Sequence, residues 1–218
     1  MNSPIKFNFK TEIIPLAILL ACIGLSFFFY ANSPATVVTH WNFRGEADGF
    51  SSRAFASFFF PVLLIGMYLL FLILPNLDPK KERYGEFAKT YNIFRHLFLG
   101  ALAIIYIATG IYNIGYQINI GIIVATIIGL MMIIIGNYMG KIKKNWFMGI
   151  RTPWTMSSEN VWNKTHRVGG ILFMIFGLVI MIAPFLPELI ALVLFFGWTI
   201  ILVLGTFAYS YWIYRQEK

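Results

Sequence analysis

The chain has 218 residues, of which 59% are hydrophobic and only 12% are charged, and its formal net charge is +8. A soluble domain usually carries about a quarter charged residues, so this composition excludes a soluble globular protein, a disordered chain and a collagen-like fibre. The single cysteine, Cys22, excludes an intrachain disulfide framework and a cysteine-based zinc site.

Six stretches without Asp, Glu, Lys or Arg are long enough to cross a bilayer, because about 20 apolar residues span a hydrocarbon core of about 30 Å. Backbone groups in lipid need internal hydrogen bonds, so these stretches are predicted to be helices. The predicted spans are Ile13–Tyr30, Ala54–Leu74, Leu97–Ile114, Ile118–Met139, Val168–Phe185 and Leu189–Trp212. The predicted fold class is all-α: an integral membrane protein with six transmembrane helices.

The distribution of basic residues predicts the orientation of these helices. If the N-terminus lies inside, all but two of the 17 Lys and Arg residues fall in inner segments, the exceptions being Arg44 and Arg53. The positive-inside rule then places both termini in the cytoplasm. Because the basic residues are spread over successive inner loops, direct nucleic-acid binding is not expected.

The predicted outer loop between the first two spans, residues 32–53, reads NSPATVVTHWNFRGEADGFSSR. The β-branched and aromatic stretch Thr36–Trp41 predicts extended backbone. The pair Asp48-Gly49 predicts a turn, because Gly tolerates positive φ and Asp can bond its own backbone. Ser51 or Ser52 is expected to cap the second helix.

Two interpretations of the acidic and histidine residues in this loop remain open. His40, Glu46 and Asp48 can converge on a cation or on the amine of a ligand. Alternatively, His40 and Asp48 hydrogen-bond to each other or to backbone and hold the shape of the loop. The second interpretation is favoured, because a three-ligand metal site needs more than nearby residue types. No metal and no cofactor are therefore predicted.

The predicted inner segment at residues 136–170 is too polar to cross the membrane and too aromatic for a simple solvated loop. Thr152 precedes a proline and should be extended. Ser157 or Ser158 is expected to cap a helix that has Glu159 in its first turn. Gly136 and Gly140 form a small-xxx-small pair that predicts close helix packing.

Four interpretations of this inner segment are open. It can bind anionic lipid, form a polar site at the helix ends, dock a soluble partner, or lie in the interface and orient the neighbouring spans. No HExxH, GxSxG or GxxxxGK[ST] motif is present, so no catalytic residue is predicted. The alternative is a membrane-embedded enzyme or a lipid- or anion-binding protein. Its residues would be Lys141, Arg151, Glu159, His166 and Arg167.

The motifs in the two loops resemble those of a known family. The outer HWNFRGEADGFSSR resembles the His-Trp-Asn-x-x-Gly-x-x-Asp-Gly motif of a small bacterial membrane domain of unknown chemistry. The inner sequences GIRTPWT at 149–155, VW at 161–162 and THR at 165–167 resemble the signature of the SdpI/YfhL immunity-protein family. The order of the motifs is similar to that of full-length members. It suggests a two-helix unit at 1–92 and a four-helix unit at 93–218.

The resemblance implies a multi-pass immunity protein of the bacterial cytoplasmic membrane that confers resistance to a secreted antimicrobial peptide toxin. It also implies a role as a receptor that holds a transcriptional repressor, expected to be of the ArsR type, at the membrane. Membrane lipids are the remaining partners expected. The near-absence of charge in the spans argues against an ion-coupled pump, and a small-solute transporter ranks last.

Two sets of residues follow from the resemblance as candidate sites. The outer set, assigned to toxin recognition, is His40, Trp41, Asn42, Gly45, Asp48 and Gly49. The cytoplasmic set, assigned to the functional block, is Asn137, Lys141, Asn145, Arg151, Thr152, Pro153, Trp154, Glu159, Trp162, His166 and Arg167.

Overall fold

The computed structural model of the protein describes residue 5 and residues 8–217. Seven α-helices and one β-hairpin form in this part of the chain. They are α1 (Phe9–Asn32), β1 (Thr36–Trp41), β2 (Ala47–Ser52), α2 (Arg53–Leu77), α3 (Tyr84–Asn113), α4 (Ile120–Met139), α5 (Pro153–Ser157), α6 (Glu159–Ile182) and α7 (Glu188–Gln216). Short 3₁₀ turns at Lys81–Arg83 and Ala183–Phe185 precede α3 and α7.

All the helices except α5 are long and apolar enough to cross a membrane, which confirms the predicted six-span, all-α fold class. In each of them at most 39% of the most apolar window is buried inside the protein. Most of these apolar side chains therefore remain at least partly exposed, as a lipid environment allows. The third helix begins at Tyr84, well before the predicted Leu97, and its backbone is kinked at Phe87.

The described chain divides into two compact units that interleave along the sequence. The hairpin unit comprises residues 8–72 and 95–127, and the block unit comprises residues 73–94 and 128–217. The division predicted at residue 92 follows the two sequence motifs instead, and it stays a prediction.

The core of the hairpin unit consists of aliphatic and aromatic side chains from α1, α2 and α3. Phe29 meets the ring of Tyr106 edge-on, with 5.6 Å between centroids. Gly110 faces the Phe29 ring so closely that a Cβ there would collide with it. The buried Tyr106 hydroxyl donates to the backbone oxygen of Ser57 over 2.9 Å, so the polar tip of this side chain is also satisfied.

Helices α4 and α6 of the block unit approach each other through glycine. A Cβ on Gly136 would collide with the carbonyl oxygen of Gly170, and a Cβ on Gly177 would lie 2.5 Å from the carbonyl oxygen of Gly129. The predicted close packing is therefore confirmed for Gly136. Gly140, by contrast, has no neighbour within 4 Å of its Cβ position, so its part of that prediction is wrong.

Candidate functional site

The outer motif forms a β-hairpin whose turn is built by one asparagine side chain. Strands β1 and β2 pair antiparallel, with Thr36 opposite Ser52. The Asn42 Oδ1 accepts hydrogen bonds from the backbone N–H groups of Arg44 (2.9 Å) and Glu46 (3.1 Å). Gly45 has a φ of 77°, a left-handed conformation that favours glycine. Asn42 and Gly45 are thus the residues on which the turn depends.

The prediction of a turn at Asp48-Gly49 is wrong, because both residues lie in β2. The turn forms earlier because Asn42 and Gly45 supply its acceptor and its left-handed residue. Asp48 instead faces across the strands, with its Oδ1 2.6 Å from Nδ1 of His40. Gly49 packs directly under His40, where a Cβ would lie 2.7 Å from the His40 Cβ.

The favoured interpretation of the outer loop, a mutual His40–Asp48 contact, is confirmed. Both side chains are well exposed (71% and 44%), so the pair contributes about 1 kcal/mol at most to stability. The Glu46 carboxylate accepts a hydrogen bond from Asn42 Nδ2 over 2.9 Å instead of converging with His40 and Asp48 on one site. Among the described residues, no group of three His, Cys, Asp or Glu side chains could hold a metal ion.

The hairpin is attached to the C-terminal end of α3 by a residue that sequence reasoning missed. The Asn113 side chain accepts from the Val38 N–H and donates to the Val38 C=O, both over 2.9 Å. Its amide thus takes the place of a neighbouring strand at the edge of β1. Trp41 adds an edge-to-face contact with Tyr112 at 5.2 Å. The predicted helix cap is also confirmed, since Ser52 Oγ accepts from the Phe55 N–H.

In the inner block, which comprises residues 136–170, Asn145 organises the loop that follows α4. This side chain is fully buried, and its Oδ1 accepts from the backbone N–H groups of Phe147 (2.8 Å) and Met148 (2.7 Å). Its Nδ2 donates to the carbonyl oxygens of Lys143 and Met148. One asparagine therefore satisfies four backbone groups, and the loop conformation depends on it.

His166 is buried and both its ring nitrogens are occupied. The Ile150 N–H donates to Nε2 over 3.0 Å, so the proton of the neutral ring lies on Nδ1, which donates to the Trp162 carbonyl over 2.8 Å. The ring also stacks on Trp162, with centroids 4.0 Å apart. Gly149, with a φ of 107°, passes so close that a Cβ there would collide with His166 Nε2. This geometry favours a structural role for His166 over proton transfer.

The Thr-Pro-Trp sequence starts the short helix α5 and joins it to α7. Thr152 is extended as predicted (φ −106°, ψ 163°), and its side chain forms a capping box with Thr155. Its Oγ1 also donates to the Ser210 Oγ on α7 over 2.9 Å. Pro153 is the first residue of α5, and Trp154 packs against two aromatic rings of α7. Thr152 and Trp154 therefore attach α5 to α7.

The start of α6 follows the prediction, since Ser158 accepts from the Val161 N–H and Glu159 lies in the first turn. Glu159 Oε1 lies 2.5 Å from Nη2 of Arg83, which comes from the segment before α3. Of the remaining predicted residues, Asn137, Lys141, Arg151 and Arg167 are exposed. Lys141 lies over the Tyr138 ring at 4.4 Å, and Arg151 donates to the Trp146 carbonyl. The predicted block therefore combines a buried framework with an exposed basic and aromatic surface.

Sequence reasoning also missed Asp78, which lies in the hydrophilic connection between α2 and α3. The residue is only 2% exposed. Its Oδ1 accepts from the Lys80 N–H over 2.7 Å, and its Oδ2 accepts from the Tyr84 hydroxyl (3.0 Å) and the Trp146 N–H (2.9 Å). Asp78 thus fastens this connection to the inner block. The pair Asp78-Pro79 was a signal in the sequence for this contact, since an Asp side chain at the start of a turn often accepts from the backbone N–H two residues further on.

A buried ion pair in the hairpin unit was also missed. Glu12 on α1 and Arg95 on α3 are each 1% exposed, and Glu12 Oε1 accepts from Arg95 Nη2 over 2.6 Å. The Tyr68 hydroxyl donates to Glu12 Oε2 over 3.0 Å. The expected near-absence of charge in the spans does not hold at these positions, because the helices extend beyond the charge-free runs.

The six candidate spans, with exposed apolar faces and charge confined to their ends and to one buried pair, define a multi-pass membrane protein. The model of the SdpI/YfhL protein family matches residues 141–210, which include most of the inner block. A second match, to a domain of unknown function (DUF1648), covers residues 17–65 and contains the outer hairpin. The resemblance to the SdpI/YfhL family is therefore confirmed.

A relative of similar length matches along nearly the whole chain. It is the "Immunity protein SdpI" of Bacillus subtilis (strain 168), which is 28% identical over 208 residues. The match covers 95% of this chain and 97% of the relative. No solved structure matches the chain. Together with the six spans, these similarities identify a multi-pass bacterial membrane protein.

Proposed function

We propose that this protein protects the bacterium that makes it from a secreted antimicrobial peptide toxin. The observation that carries the proposal is the end-to-end similarity to a protein named for immunity. The similarity covers both motif-bearing segments, so it is not confined to apolar helices, which resemble one another for compositional reasons.

The outer hairpin is the element that would meet the toxin. The connection that contains the hairpin has few basic residues, so the positive-inside rule places it on the outer side of the membrane. Its shape is held by the Asn42 turn and by Asn113. The side chain of His40 is 71% exposed, and Phe50 as a whole residue is 63% exposed. A rigid support with exposed polar and aromatic groups loses little conformational entropy when it binds a partner.

The inner block is the element that would dock a repressor of the ArsR type. Its exposed face carries Trp146 and Phe147, which are 49% and 39% exposed, next to the guanidinium of Arg151. Aromatic residues and arginine are the types enriched at protein interfaces. Regulation through this face requires that the toxin bind one conformation of the protein more tightly than another.

Expression of the protein in a toxin-sensitive host tests the proposal. The probe is the secreted peptide fraction of the bacterium that carries the gene, and survival is compared with an empty vector. We expect a gain in survival that the variant Asp48→Ala reduces at unchanged membrane abundance, because it frees His40 and loosens the hairpin surface. Lys89→Ala, an exposed change elsewhere, should keep the full gain.

The repressor role has a separate readout. A fluorescently tagged ArsR-type repressor from the same genome should move to the membrane only when the protein and the peptide fraction are both present. If survival does not rise in the host, the immunity proposal is wrong. If survival rises and the repressor stays in the cytosol, immunity stands and the receptor role is rejected.

A further inference from the structure

The loop that follows α4 turns back and contacts the apolar parts of α6 and α7. A Cβ on Gly169 would collide with Cδ1 of Ile150, so the Ile150 side chain lies against α6 at that position. The Thr152 hydroxyl donates to Ser210 Oγ on α7 over 2.9 Å. Gly169 and Ser210 both lie within the charge-free spans of their helices. This part of the loop therefore lies level with the ends of the apolar spans rather than out in the solvent.

Trp154 contacts α7 still further from the end of its span. The Trp154 ring lies 4.8 Å from that of Phe207 and 4.9 Å from that of Tyr211, measured between centroids. Phe207 precedes Trp212, the end of the predicted span, by five residues, which is about 7 Å along the helix axis. Because tryptophan and tyrosine side chains are enriched where a membrane meets water, this cluster indicates the depth of the membrane interface.

Arg151 lies between these contacts in the sequence, and it is exposed. Its Nη1 donates to the Trp146 carbonyl. In the part of the chain that the structure describes, Arg151 forms no ion pair with a carboxylate. A guanidinium has five N–H donors in a planar fork, so most of its donors remain for a ligand.

The charge of this segment stays positive when the buried Asp78 is counted. Residues 136–158 contain no Asp or Glu and four basic residues, which are Lys141, Lys143, Lys144 and Arg151. Asp78 is joined to the segment by the Trp146 N–H, and counting it as ionised leaves four positive charges and one negative charge, or +3. Glu159, the next acidic residue along the chain, is engaged by Arg83 over 2.5 Å. The segment therefore attracts an anion.

We propose that residues 146–154 lie in the membrane interface and that Arg151 binds the phosphate of an anionic lipid there. The planar fork of a guanidinium matches the oxygens of a phosphate, and basic sites at helix ends bind anionic headgroups. The depth of the Trp154 contacts favours a lipid over a soluble phosphate compound. The exposed rings of Trp146 and Phe147 would lie beside the headgroup, as amphipathic side chains do at an interface. The proposal does not depend on the immunity function, and a repressor that docks on this face would meet it at the membrane surface.

Spin labelling of the purified full-length protein tests the depth. Single cysteines are introduced as Phe147→Cys and Lys81→Cys after Cys22→Ser has removed the native thiol, and the protein is placed in nanodiscs that contain phosphatidylglycerol. We expect the label at position 147 to be more accessible to oxygen, relative to a water-soluble nickel chelate, than the label at position 81. Equal ratios at the two positions would overturn the proposal.

Lipid retention tests the role of Arg151. Native mass spectrometry counts the lipids that stay bound after release from nanodiscs of phosphatidylglycerol or of phosphatidylcholine. We expect Arg151→Gln to reduce retention of phosphatidylglycerol about fivefold, from the typical contribution of a basic residue near an anionic surface. Arg151→Lys keeps the charge but not the fork, so its loss should be smaller. Lys89→Gln removes an exposed charge eight residues before the predicted span of α3 and should retain as much as the unsubstituted protein.

Two comparisons decide what the retention means. Inorganic phosphate, titrated into the same samples, should leave the phosphatidylglycerol bound, and displacement would reject lipid as the ligand. Phosphatidylcholine should be retained less than phosphatidylglycerol, and equally in Arg151→Gln and the unsubstituted protein. If Arg151→Gln and Lys89→Gln retain equal amounts of phosphatidylglycerol, Arg151 does not bind the headgroup and the proposal is wrong.

Discussion

Replacement of Arg95 by alanine should lower the free energy of unfolding by about 3–5 kcal/mol, because it leaves the Glu12 carboxylate buried without its cation. Glu12 is 1% exposed, so its carboxylate is shielded from bulk water and depends on the guanidinium for compensation of its charge. Tyr68 would remain as a donor to the carboxylate, but a neutral hydroxyl does not offset a buried charge. Denaturation of the purified protein in mixed micelles measures the change.

A double variant separates the loss of the ion pair from the loss of packing. Glu12→Leu combined with Arg95→Met removes both charges at similar volume, and it should recover most of the stability that Arg95→Ala loses. Lys89→Ala, an exposed change on the same helix, should have little effect. Unchanged stability in Arg95→Ala would refute the account of this pair, as would a double variant less stable than the single one.

Substitution of Gly170 by alanine should destabilise the contact between α4 and α6 by about 1–3 kcal/mol. The added Cβ would lie 2.5 Å from the backbone oxygen of Gly136, and backbone cannot move aside as a flexible side chain can. This penalty exceeds the gain in helix propensity of about 1 kcal/mol from Gly to Ala. The thermal midpoint of the protein in detergent is the measurement.

Gly197 on α7 provides the matched control, since nothing lies within 4 Å of its Cβ position. Gly197→Ala should raise the midpoint slightly, because only the helix-propensity gain remains. If both substitutions shift the midpoint equally, the close approach of α4 and α6 is not what makes Gly170 important.

The parts of the fold that depend on local sequence could be predicted. Length and hydropathy predict the six spans, because the bilayer imposes a minimum length and excludes unpaired backbone groups. Helix caps were also predictable, since Ser52 and Ser158 each bond a backbone N–H three residues ahead. The His40–Asp48 contact was accessible as well, because it joins two residues eight positions apart in one hairpin.

The missed residues share a dependence on distant partners. Asn113 bonds to a residue 75 positions away, Asp78 to one 68 positions away, and Arg95 to one 83 positions away. Hydrophobic periodicity carries no information about such pairs. The turn in the outer loop was predicted at the wrong position for a different reason. Asp48-Gly49 and residues 42–45 both contain residue types that favour turns, and the pairing between the strands decides which of them forms the turn.

The structure also separates two roles within the inner motif. Asn145, Trp162 and His166 are buried and hydrogen-bonded to backbone, so they maintain the conformation of this segment. Arg151 and Arg167 are exposed, and Arg151 also donates to the Trp146 carbonyl. Variants of the first group should affect folding, whereas variants of the second group report on function.

We propose that the hairpin meets a toxin outside the cell while the inner block faces the cytoplasm. Single cysteines, introduced as Phe50→Cys and Ser157→Cys after Cys22→Ser has removed the native thiol, test it with a membrane-impermeant maleimide. We expect position 50 to be labelled on intact cells and position 157 to be labelled only after permeabilisation. Labelling of position 157 on intact cells, or of position 50 only after permeabilisation, would contradict it.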